Sequence, residues 1–430
     1  MLKQLKLKNV GPAAAMELNF GERLNLITGD NGLGKSFLLD IAWWVMTRKW
    51  PAEINPHLTS GKKALPHPNS EGEIDFTFTS KVKTEQYRST FNRRDQAWTG
   101  RSGRPANPGL VLYATAEGGF AVWDPARNYW KTQQGVDVQD RRPAYVFGPQ
   151  EVWDGLVGDD GVPVANGLIR DWASWQREDG RAFEHFRWVL NALSAGDLEW
   201  LRIGDLTRIS LDDARDMPTL RMPYGADVPV VHASAGMRRI IALAYVLVWA
   251  WEEHIKASEL LVEPTSSQVV FLIDEIESHL HPKWQFSIIG SVLRVMQQMA
   301  PSAKVQLITA THSPQVLASV EPYFDAATDA WFDLDYVHDE HSSKVVLTPR
   351  VFEPQGDVSS WLTSEAFDLP SARSPAIAEL LHEASALIEQ PAPGQEPLSA
   401  MHQRLLQQLN PKDGYLFRWR AVAEAKGLRA

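Results

Sequence analysis

The chain has 430 residues, a formal net charge of −10 and no cysteine. This length exceeds a typical single domain and predicts a large core in one elaborated domain or two. The lack of cysteine excludes disulfides and thiolate metal sites and fits a reducing compartment. No apolar run reaches the roughly 18 residues of a membrane span, and the start does not resemble a signal peptide. We therefore expect a soluble, cytoplasmic protein without a membrane partner.

The first predicted elements are three strands within residues 2–28, and the third leads into a glycine-rich loop. The octet Gly29-Asp-Asn-Gly-Leu-Gly-Lys-Ser36 fits the pattern G-x-x-x-x-G-K-[ST] and precedes an apolar helical run over 37–46. Such a loop surrounds a phosphate with backbone N–H groups and with the positive end of a helix. Lys35 would reach the β/γ-phosphates of ATP, and the Ser36 hydroxyl would bind Mg²⁺. The predicted nucleotide-binding residues of this loop are Gly29, Asn31, Gly32, Gly34, Lys35 and Ser36.

The middle of the chain is predicted to be rich in strands and then helical. The predicted strands cover 73–79, 86–92, 110–115, 120–123, 201–210 and 219–232. Helical patterns cover 167–195, 236–261 and 282–299, and a last strand pattern covers 304–309. The tail after residue 370 is predicted to be helical, with a break at 390–394.

Residues 81–104 form a basic segment with aromatic residues between the charges. Its only acidic residues are Glu85 and Asp95, and its aromatic residues are Tyr87, Phe91 and Trp98. This composition is typical of a face that binds phosphates and stacks bases, which would make DNA a partner, and equally of a solvated hairpin. The basic residues are Lys81, Lys83, Arg88, Arg93, Arg94, Arg101 and Arg104.

A second motif lies 239 residues after Lys35, where a buried-strand pattern ends in two carboxylates. The stretch Val269-Val-Phe-Leu-Ile-Asp-Glu275 has the form of a Walker B motif. Asp274 is the expected carboxylate on the Mg²⁺ side, and Glu275 is the expected general base that orients the attacking water. A separation this long predicts inserted subdomains between the two motifs, as in ABC-type ATPases.

A third motif, His232-Ala-Ser-Ala-Gly-Met-Arg-Arg239, lies at the start of the long predicted helix. It has the form of an ABC signature, which in that family caps the γ-phosphate held by the P-loop of a second subunit. Here Ser234 and the N–H of Gly236 would do this, using the exposed amides of a helix N-terminus. The alternative is an ordinary serine N-cap.

Two further residues occupy positions where such ATPases carry functional groups. His312, in Thr309-Ala-Thr-His-Ser-Pro, follows a predicted strand and is the expected switch histidine near the γ-phosphate. Gln150, in Tyr145-Val-Phe-Gly-Pro-Gln, follows a strand-like run and is the expected Q-loop ligand of Mg²⁺. Glu277 is either a residue of the dimer seam or simply solvated.

The segment Glu275-Ile-Glu-Ser-His-Leu-His-Pro-Lys-Trp-Gln285, the Thr-His-Ser-Pro element and residues 360–367 resemble one group of bacterial ATPases. These are the ABC-type AAA-family ATPases related to the OLD nucleases, which share the SMC/RecF-like head fold. Residues 24–44 are similar to the ATPase subunits of Septu-type anti-phage systems, which act with an HNH nuclease partner. The resemblance covers residues 1–50 and 230–370.

This resemblance implies an α/β P-loop ATPase head of the ABC/SMC type, with a β-rich lobe and an inserted helical lobe. The 83 residues between Gln150 and Ser234 contain no heptads for a long coiled coil, and about 60 residues after 370 are too few for the TOPRIM domain of OLD nucleases. We predict an N-terminal ATPase lobe with a β-rich insert (1–150), a helical lobe (151–235), a C-terminal ATPase lobe (236–370) and a helical tail (371–430).

The leading functional hypothesis is a slow ATPase that forms a homodimer, or a higher homo-oligomer, around ATP and Mg²⁺. It would regulate a separately encoded nuclease, of HNH type, in bacterial anti-phage defence. One alternative is a RecF-like DNA repair ATPase that binds DNA directly, and another is a nucleotide-gated scaffold with negligible hydrolysis. The Thr-His-Ser-Pro and His-Leu-His-Pro elements disfavour an ABC transporter subunit.

Overall fold

The computed structural model describes residues 1–80, 83–100, 107–128, 141–158, 160–194, 196, 201–339 and 342–428. The chain divides into two compact units, Met1–Gly356 and Asp357–Ala430. The strands of the first unit are β1 (Leu2–Lys8), β2 (Ala15–Asn19), β3 (Leu24–Gly29), β4 (Glu73–Thr79), β5 (Thr84–Asn92), β6 (Ala97–Trp98), β7 (Leu110–Ala114), β8 (Phe120–Trp123), β9 (Tyr145–Phe147), β10 (Leu156–Val157), β11 (Pro163–Ala165), β12 (Arg202–Ile203), β13 (Thr219–Arg221), β14 (Asp227–Pro229), β15 (Gln268–Ile273), β16 (Lys304–Ala310), β17 (Ala330–Asp339) and β18 (Ser342–Arg350).

Helices cover the faces of the first unit and make up the second. The helices of the first unit are α1 (Lys35–Thr47), α2 (Pro51–Ile54), α3 (Pro149–Asp154), α4 (Leu168–Glu178), α5 (Arg181–Ala192), α6 (Ala235–Leu261), α7 (Pro282–Gln285), α8 (Ile288–Met299) and α9 (Pro314–Val320). The helices of the second unit are α10 (Val358–Leu362), α11 (Pro375–Glu389), α12 (Gln395–Gln408) and α13 (Gly414–Ala425).

The main sheet has eight strands in the order β18-β17-β3-β16-β15-β7-β8-β9. Its five central strands, β17, β3, β16, β15 and β7, are all parallel. Parallel strands end at the same edge of a sheet, so the glycine-rich loop after β3 lies at the same edge as the acidic pair after β15. The strand between them is β16, which leads to His312 at that edge.

A second, five-stranded antiparallel sheet has the order β2-β1-β4-β5-β6. Helix α1 packs against β1 of this sheet and against β3, β7, β15 and β16 of the main sheet. Its side chains are therefore buried on nearly every face, and they join both sheets in one hydrophobic core. The all-round apolar sequence of this helix suits such a position, because a helix covered on all sides needs no polar face.

Gln306, a buried polar residue on β16, joins the two sheets. Its amide oxygen accepts the backbone N–H of Leu2 at 2.9 Å. Its amide nitrogen donates to the carbonyls of Leu2 at 2.8 Å and of Gly21 at 2.7 Å. One side chain thus satisfies three backbone groups that come from β1 and from the turn before β3.

The region predicted to be a helical lobe contains α4 and α5, which meet at Gly180, together with the small sheet β12-β13-β14. The strand predicted over 201–210 is wrong for most of its length, since the strand there covers only Arg202–Ile203 and is followed by an isolated bridge between Thr207 and Met217. In the part of the chain that the structure describes, no long coiled coil occurs, and no helix has the length and apolar content needed to cross a membrane.

The second unit has its own core, formed by side chains from α11, α12 and α13, among them Leu380, Leu405 and Trp419. This agrees with the helical pattern predicted after residue 370, including the break, which falls between α11 and α12. The main sheet contains strands from before residue 150 and from after residue 235. The predicted division of the first unit into lobes at 150 and 235 stays a prediction.

Replacing Gln306 with leucine should lower the free energy of unfolding of the first unit. The change keeps a similar volume but removes three hydrogen bonds. The N–H and carbonyl of Leu2 lose a buried partner, while the carbonyl of Gly21 keeps the hydrogen bond from the Asn25 amide. We expect a loss of about 2 kcal/mol or more. Urea unfolding measures this directly. Gln297→Leu, on the exposed face of α8, is the matched control and should change stability little. Equal stability of the two variants would contradict this role of Gln306.

Candidate active site

The glycine-rich loop runs from the end of β3 to the start of α1 and depends on three glycines with positive φ. These are Gly29, Gly32 and Gly34, with φ angles of 131°, 81° and 97°. A side chain at Gly29 would collide with the backbone carbonyl of Leu334, so only glycine fits there. No described atom lies within 4 Å of the position that a Cβ of Gly32 would take. The loop is therefore sterically open on that side.

Lys35, the first residue of α1, is buried and folds back over this loop. Its ammonium group donates to the carbonyls of Gly29 at 2.7 Å and of Asp30 at 2.8 Å. Burial lowers the pKa of Lys35, and four nearby carboxylates oppose that lowering. These carboxylates are Asp274, Glu275, Glu277 and Asp30. Lys35 is thus a buried cation in acidic surroundings, placed for an anionic ligand.

Asp274 directly follows β15 and is almost completely buried, with 3% of its surface exposed. Burial raises the pKa of its carboxyl group, and a hydrogen bond from the Ser36 hydroxyl acts in the opposite direction. Its Oδ1 atom is buried and, within the described residues, has no hydrogen-bond partner. A buried carboxylate oxygen left free beside a hydroxyl suits a hard cation with oxygen ligands, and Mg²⁺ fits this pair.

Glu275 and His312 lie beside each other at the same edge of the sheet. The Oε1 atom of Glu275 is 3.4 Å from Nε2 of His312, and both side chains are partly exposed. The backbone of Glu275 has a φ of 47°, in the left-handed region that non-glycine residues seldom adopt. The structure thus brings together the predicted general base and the predicted switch histidine.

Glu277 connects the loop after β15 to the end of β16. Its carboxylate accepts the backbone N–H of His312 and a hydrogen bond from the Thr311 hydroxyl. Its Oε2 atom is buried, and burial raises the pKa of the carboxyl group. The interpretation of Glu277 as simply solvated is therefore wrong. No local pattern distinguishes Glu277 from a surface glutamate, because its partners lie more than 30 residues away.

Asp40, a residue that the motifs did not single out, lies one turn after Ser36 on α1. The hydroxyl of Tyr113 donates to its Oδ1 atom at 2.9 Å. Burial raises the pKa of Asp40 to about 7, and the charge of Asp274 adds to this effect. The signal available in the sequence was a single carboxylate within an otherwise apolar helix.

Ser234 and Gly236 lie at the start of α6 and have different surroundings. Ser234 is exposed, and its hydroxyl accepts the N–H of Met237 at 3.3 Å as an N-cap. Gly236 is buried, and a Cβ there would lie 2.7 Å from the carbonyl of His279. Within the described residues, no hydrogen bond joins either residue to the glycine-rich loop of the same chain.

Gln150 is not brought together with these groups. It lies on α3 after β9, three strands away from β15 in the main sheet. Its side chain is exposed, and its amide nitrogen is 3.4 Å from a carboxylate oxygen of Asp154. At the carboxyl edge, the neighbour of β15 is β7, which leads into Thr115. The assignment of Gln150 as a Mg²⁺ ligand stays a prediction.

The basic segment 81–104 is largely satisfied within the chain. Lys83 pairs with Glu85, and Arg88 pairs with Glu73 and Asp75. The rings of this segment face the core: Tyr87 stacks on Phe76 and Phe78, and Phe91 packs edge-on against Trp98. This favours the simpler interpretation of a hairpin over a face that stacks bases. Lys81, Arg101 and Arg104 lie outside the described residues.

The site consists of a glycine-rich loop with a buried lysine, together with two acidic residues and a histidine at neighbouring strand ends. This arrangement is that of a P-loop nucleotide-binding site. Residues 24–318 match the family described as "AAA domain, putative AbiEii toxin, Type IV TA system". The chain belongs to this family, whose model covers more than half of its length. The family assignment made from the motifs is confirmed.

The chain is similar to several curated proteins. It is 22% identical to the Septu protein PtuA of Bacillus thuringiensis over 331 residues. This match covers 74% of this chain and 73% of PtuA. It is 31% identical over 116 residues to the Retron Vc95 probable ATPase of Vibrio cholerae serotype O1 biovar El Tor, covering 27% and 20% of the two chains. A 60-residue match to the Retron Ec83 probable ATPase of Escherichia coli is 38% identical and covers 14% and 10%.

Among solved structures, two SMC head domains match most of the chain. The SMC head domain from Thermotoga maritima has a TM-score of 0.37 at 17% identity, covering 81% of this chain and 98% of that one. The SmcHead bound to the C-winged helix domain of ScpA has a TM-score of 0.42 at 15% identity, covering 81% and 97%. These scores are too low to assign detail, so the fold class is taken from the family and from the parallel sheet with its P-loop.

Proposed function

We propose that this protein is an ATPase that hydrolyses ATP slowly in the presence of Mg²⁺. The observation that carries this proposal is the meeting of Lys35, Asp274, Glu275 and His312 at one edge of the main sheet. The family supports the binding of a nucleotide, and two of the similar proteins are described as probable ATPases. The absence of cysteine and of any described membrane-spanning helix fits the expected cytoplasmic location.

The phosphates of ATP would be held by the loop of residues 29–34 and by Lys35. The ammonium group now donates to the carbonyls of Gly29 and Asp30, and on ATP binding it would donate to phosphate oxygens instead. Hydrogen bonds to these charged oxygens are stronger than those to neutral carbonyls. Ser36 and Asp274 are the residues that would hold Mg²⁺, with Gln150 as a predicted third ligand. When bound, the ion neutralises charge on the phosphate oxygens.

Glu275 is the proposed general base. Its carboxylate is partly exposed, so a water molecule can reach it, and it would orient that water for in-line attack on the γ-phosphate. His312, which lies 3.4 Å from this carboxylate, would donate a hydrogen bond to the base or to the transferred phosphoryl group. The Glu277 carboxylate accepts the backbone N–H of His312 and so fixes the segment that carries this histidine.

Lys35→Ala should weaken ATP binding, because it removes the cation that faces the phosphates. Glu275→Gln should leave binding intact and lower turnover by ~10²–10⁴, the usual effect of losing the group that activates the nucleophile. Nucleotide affinity and phosphate release, measured on the same preparations, separate the two effects. Lys49→Ala and Glu263→Gln, at exposed positions, are the matched controls. Turnover by Glu275→Gln equal to that of the parent would rule out Glu275 as the base, and absent turnover in the parent would favour the scaffold.

We further propose that two copies of the chain complete each other's sites. Ser234 is exposed at the N-terminus of a 27-residue helix, which is where an anion from another molecule would bind. In this arrangement Ser234 and the N–H of Gly236 in one copy would contact the γ-phosphate held by Lys35 of the other copy. The ordinary N-cap seen for Ser234 is compatible with this, since the hydroxyl keeps a second lone pair and its own proton.

Mixing Ser234→Arg chains with Lys35→Ala chains should restore part of the ATPase activity that each variant lacks alone. Each heterodimer then contains one site built from two intact halves. The control is the heterodimer of the double variant Lys35→Ala/Ser234→Arg with the parent chain, which has no intact site. Both heterodimers are isolated through two different affinity tags, so that parent homodimers do not contribute. If the first isolated heterodimer is no more active than the second, the shared-site arrangement is incorrect.

We propose that the biological role is the regulation of a separately encoded nuclease, of HNH type, in anti-phage defence. This follows from the similarity to the Septu protein PtuA over 73% of that protein and from the absence of a recognisable nuclease pattern in residues 50–230 and 370–430. A RecF-like protein that binds DNA directly is less favoured. In the basic segment, Lys83 and Arg88 already form ion pairs with acidic residues of the same chain, which leaves less positive charge to bind DNA phosphates.

The purified chain should hydrolyse ATP without cleaving DNA or RNA. Co-expressed with the product of its neighbouring gene, it should form a stable complex whose nuclease activity depends on the bound nucleotide. The measurement is cleavage of plasmid DNA and of RNA by the chain and by the complex, with ATP, with ADP and without nucleotide. If the isolated chain cleaves DNA or RNA, and the Glu275→Gln variant does not, the protein is not part of a two-component system.

A further inference from the structure

Arg239 lies on α6, five residues after Ser234, but its side chain reaches the end of the strand that carries Asp274. Its Nη2 atom donates to the carbonyl of Thr115 at 2.8 Å and lies 3.4 Å from the carbonyl of Asp274. Thr115 follows β7 and Asp274 follows β15, and these two strands pair directly, with Ala114 opposite Ile273. The guanidinium group therefore connects the ends of two neighbouring parallel strands at the active edge.

The carbonyl of Asp274 belongs to the peptide group that leads into Glu275. Glu275 has a φ of 47°, and this left-handed conformation is unfavourable for a non-glycine residue. Such a conformation persists only where surrounding contacts hold it. Three backbone hydrogen bonds hold this segment: Asp274 N–H to the Ala114 carbonyl at 2.9 Å, Ile276 N–H to the Ala310 carbonyl at 3.4 Å, and Ser278 N–H to the Glu275 carbonyl at 2.9 Å. Arg239 adds a side-chain contact to the carbonyl of the peptide that precedes Glu275. The orientation of the Glu275 side chain depends on this backbone conformation.

The surroundings of Arg239 are unfavourable for a residue whose only role is packing. Burial lowers the pKa of its guanidinium group, while the charges of Asp274 and Glu275 raise it. Its Nη1 atom is buried and has no hydrogen-bond partner within the described part of the chain. Arg239 as a whole is half-buried, and its buried, unsatisfied donor costs free energy that an apolar residue at this position would not. A packing role alone therefore does not account for an arginine here, whereas its contacts with the ends of β7 and β15 do.

We propose that Arg239 is a positioning residue for Glu275 of its own chain, although it lies on the helix that would serve the nucleotide of the neighbouring copy. It fixes the peptide between Asp274 and Glu275, and so the direction in which the general base points. This inference rests on the proposed ATPase function and adds a residue to it. It also implies that the first turns of α6 contribute to two different nucleotide sites, Ser234 to one and Arg239 to the other.

The first test compares Arg239→Gln and Arg239→Lys with Arg294→Gln, at an exposed arginine on α8 outside the site. Arg239→Gln should lower turnover by about 10–100-fold with nearly unchanged ATP affinity, since a small misplacement of a catalytic group has effects of this size. Arg239→Lys keeps a cationic donor and should recover part of the turnover, while Arg294→Gln should behave like the parent. Equal losses of affinity and turnover, or no recovery with lysine at unchanged thermal stability, would overturn the assignment.

The second test decides which site Arg239 serves, using heterodimers isolated through two different affinity tags. A dimer of Arg239→Gln and Lys35→Ala chains has one usable site, whose Glu275 comes from the Arg239→Gln chain. A dimer of the parent and the double variant Lys35→Ala/Arg239→Gln has one usable site, whose Glu275 comes from the parent. The first dimer should lose turnover and the second should match a dimer of parent and Lys35→Ala chains. The reverse result, or equal losses in both dimers, would refute the proposal.

The two proposals fail in distinguishable ways. If the Ser234→Arg and Lys35→Ala mixture shows no recovery, the shared site is incorrect, and the comparison of affinity with turnover in the uniform Arg239 variants still decides the role of Arg239. If that recovery occurs and Arg239→Gln turns over like the parent, the ATPase proposal stands and the positioning role is wrong.

Discussion

The parallel pairing of β3, β16 and β15 is the constraint on which the candidate site depends. Each strand ends at the same edge of the sheet, so the P-loop, His312 and the Asp274–Glu275 pair meet there although they come from distant parts of the sequence. The strand order sets the order of these groups, because β16 separates the glycine-rich loop from the strand that leads to the proposed general base. Helix α1 lies against this sheet and the second one, and Gln306 ties them together.

The electrostatics of the edge follow from that pairing. Asp274, Glu275 and Glu277 come within reach of one buried lysine, and each carboxylate moderates the effect of burial on the pKa of Lys35. Arg239, which is half-buried, adds a second cation on the β7 side of the acidic pair. Two cations thus flank the end of β15, one from the P-loop helix and one from α6, and the carboxylates between them are stabilised from both sides.

The parts of the fold that the sequence predicted are those encoded in contiguous patterns. The strand, loop and helix from Leu24 to Thr47 are an example, and α6 begins within one residue of its predicted start. The predicted helix over 282–299 is interrupted at Phe286–Ser287, and the hairpin of β17 and β18 was not predicted. Glu277, Arg239 and Gln306 act through partners more than 30 residues away, and no local pattern in a single sequence marks such contacts. Gln150 was proposed from a local pattern alone. The strand order places it three strands from Asp274, and its role as a metal ligand stays a prediction.

The same strand order has a consequence for how the protein is made. Strand β3 has β16 on one side and β17 on the other, so both of its neighbours are about 280 residues or more further along the chain. At the usual ribosomal speed of about 5–20 residues per second, β3 waits roughly 15–60 s for its first partner. During that time its apolar residues and both of its edges have none of their partners from the finished sheet. The nascent chain is therefore most prone to misfolding before β16 leaves the ribosome.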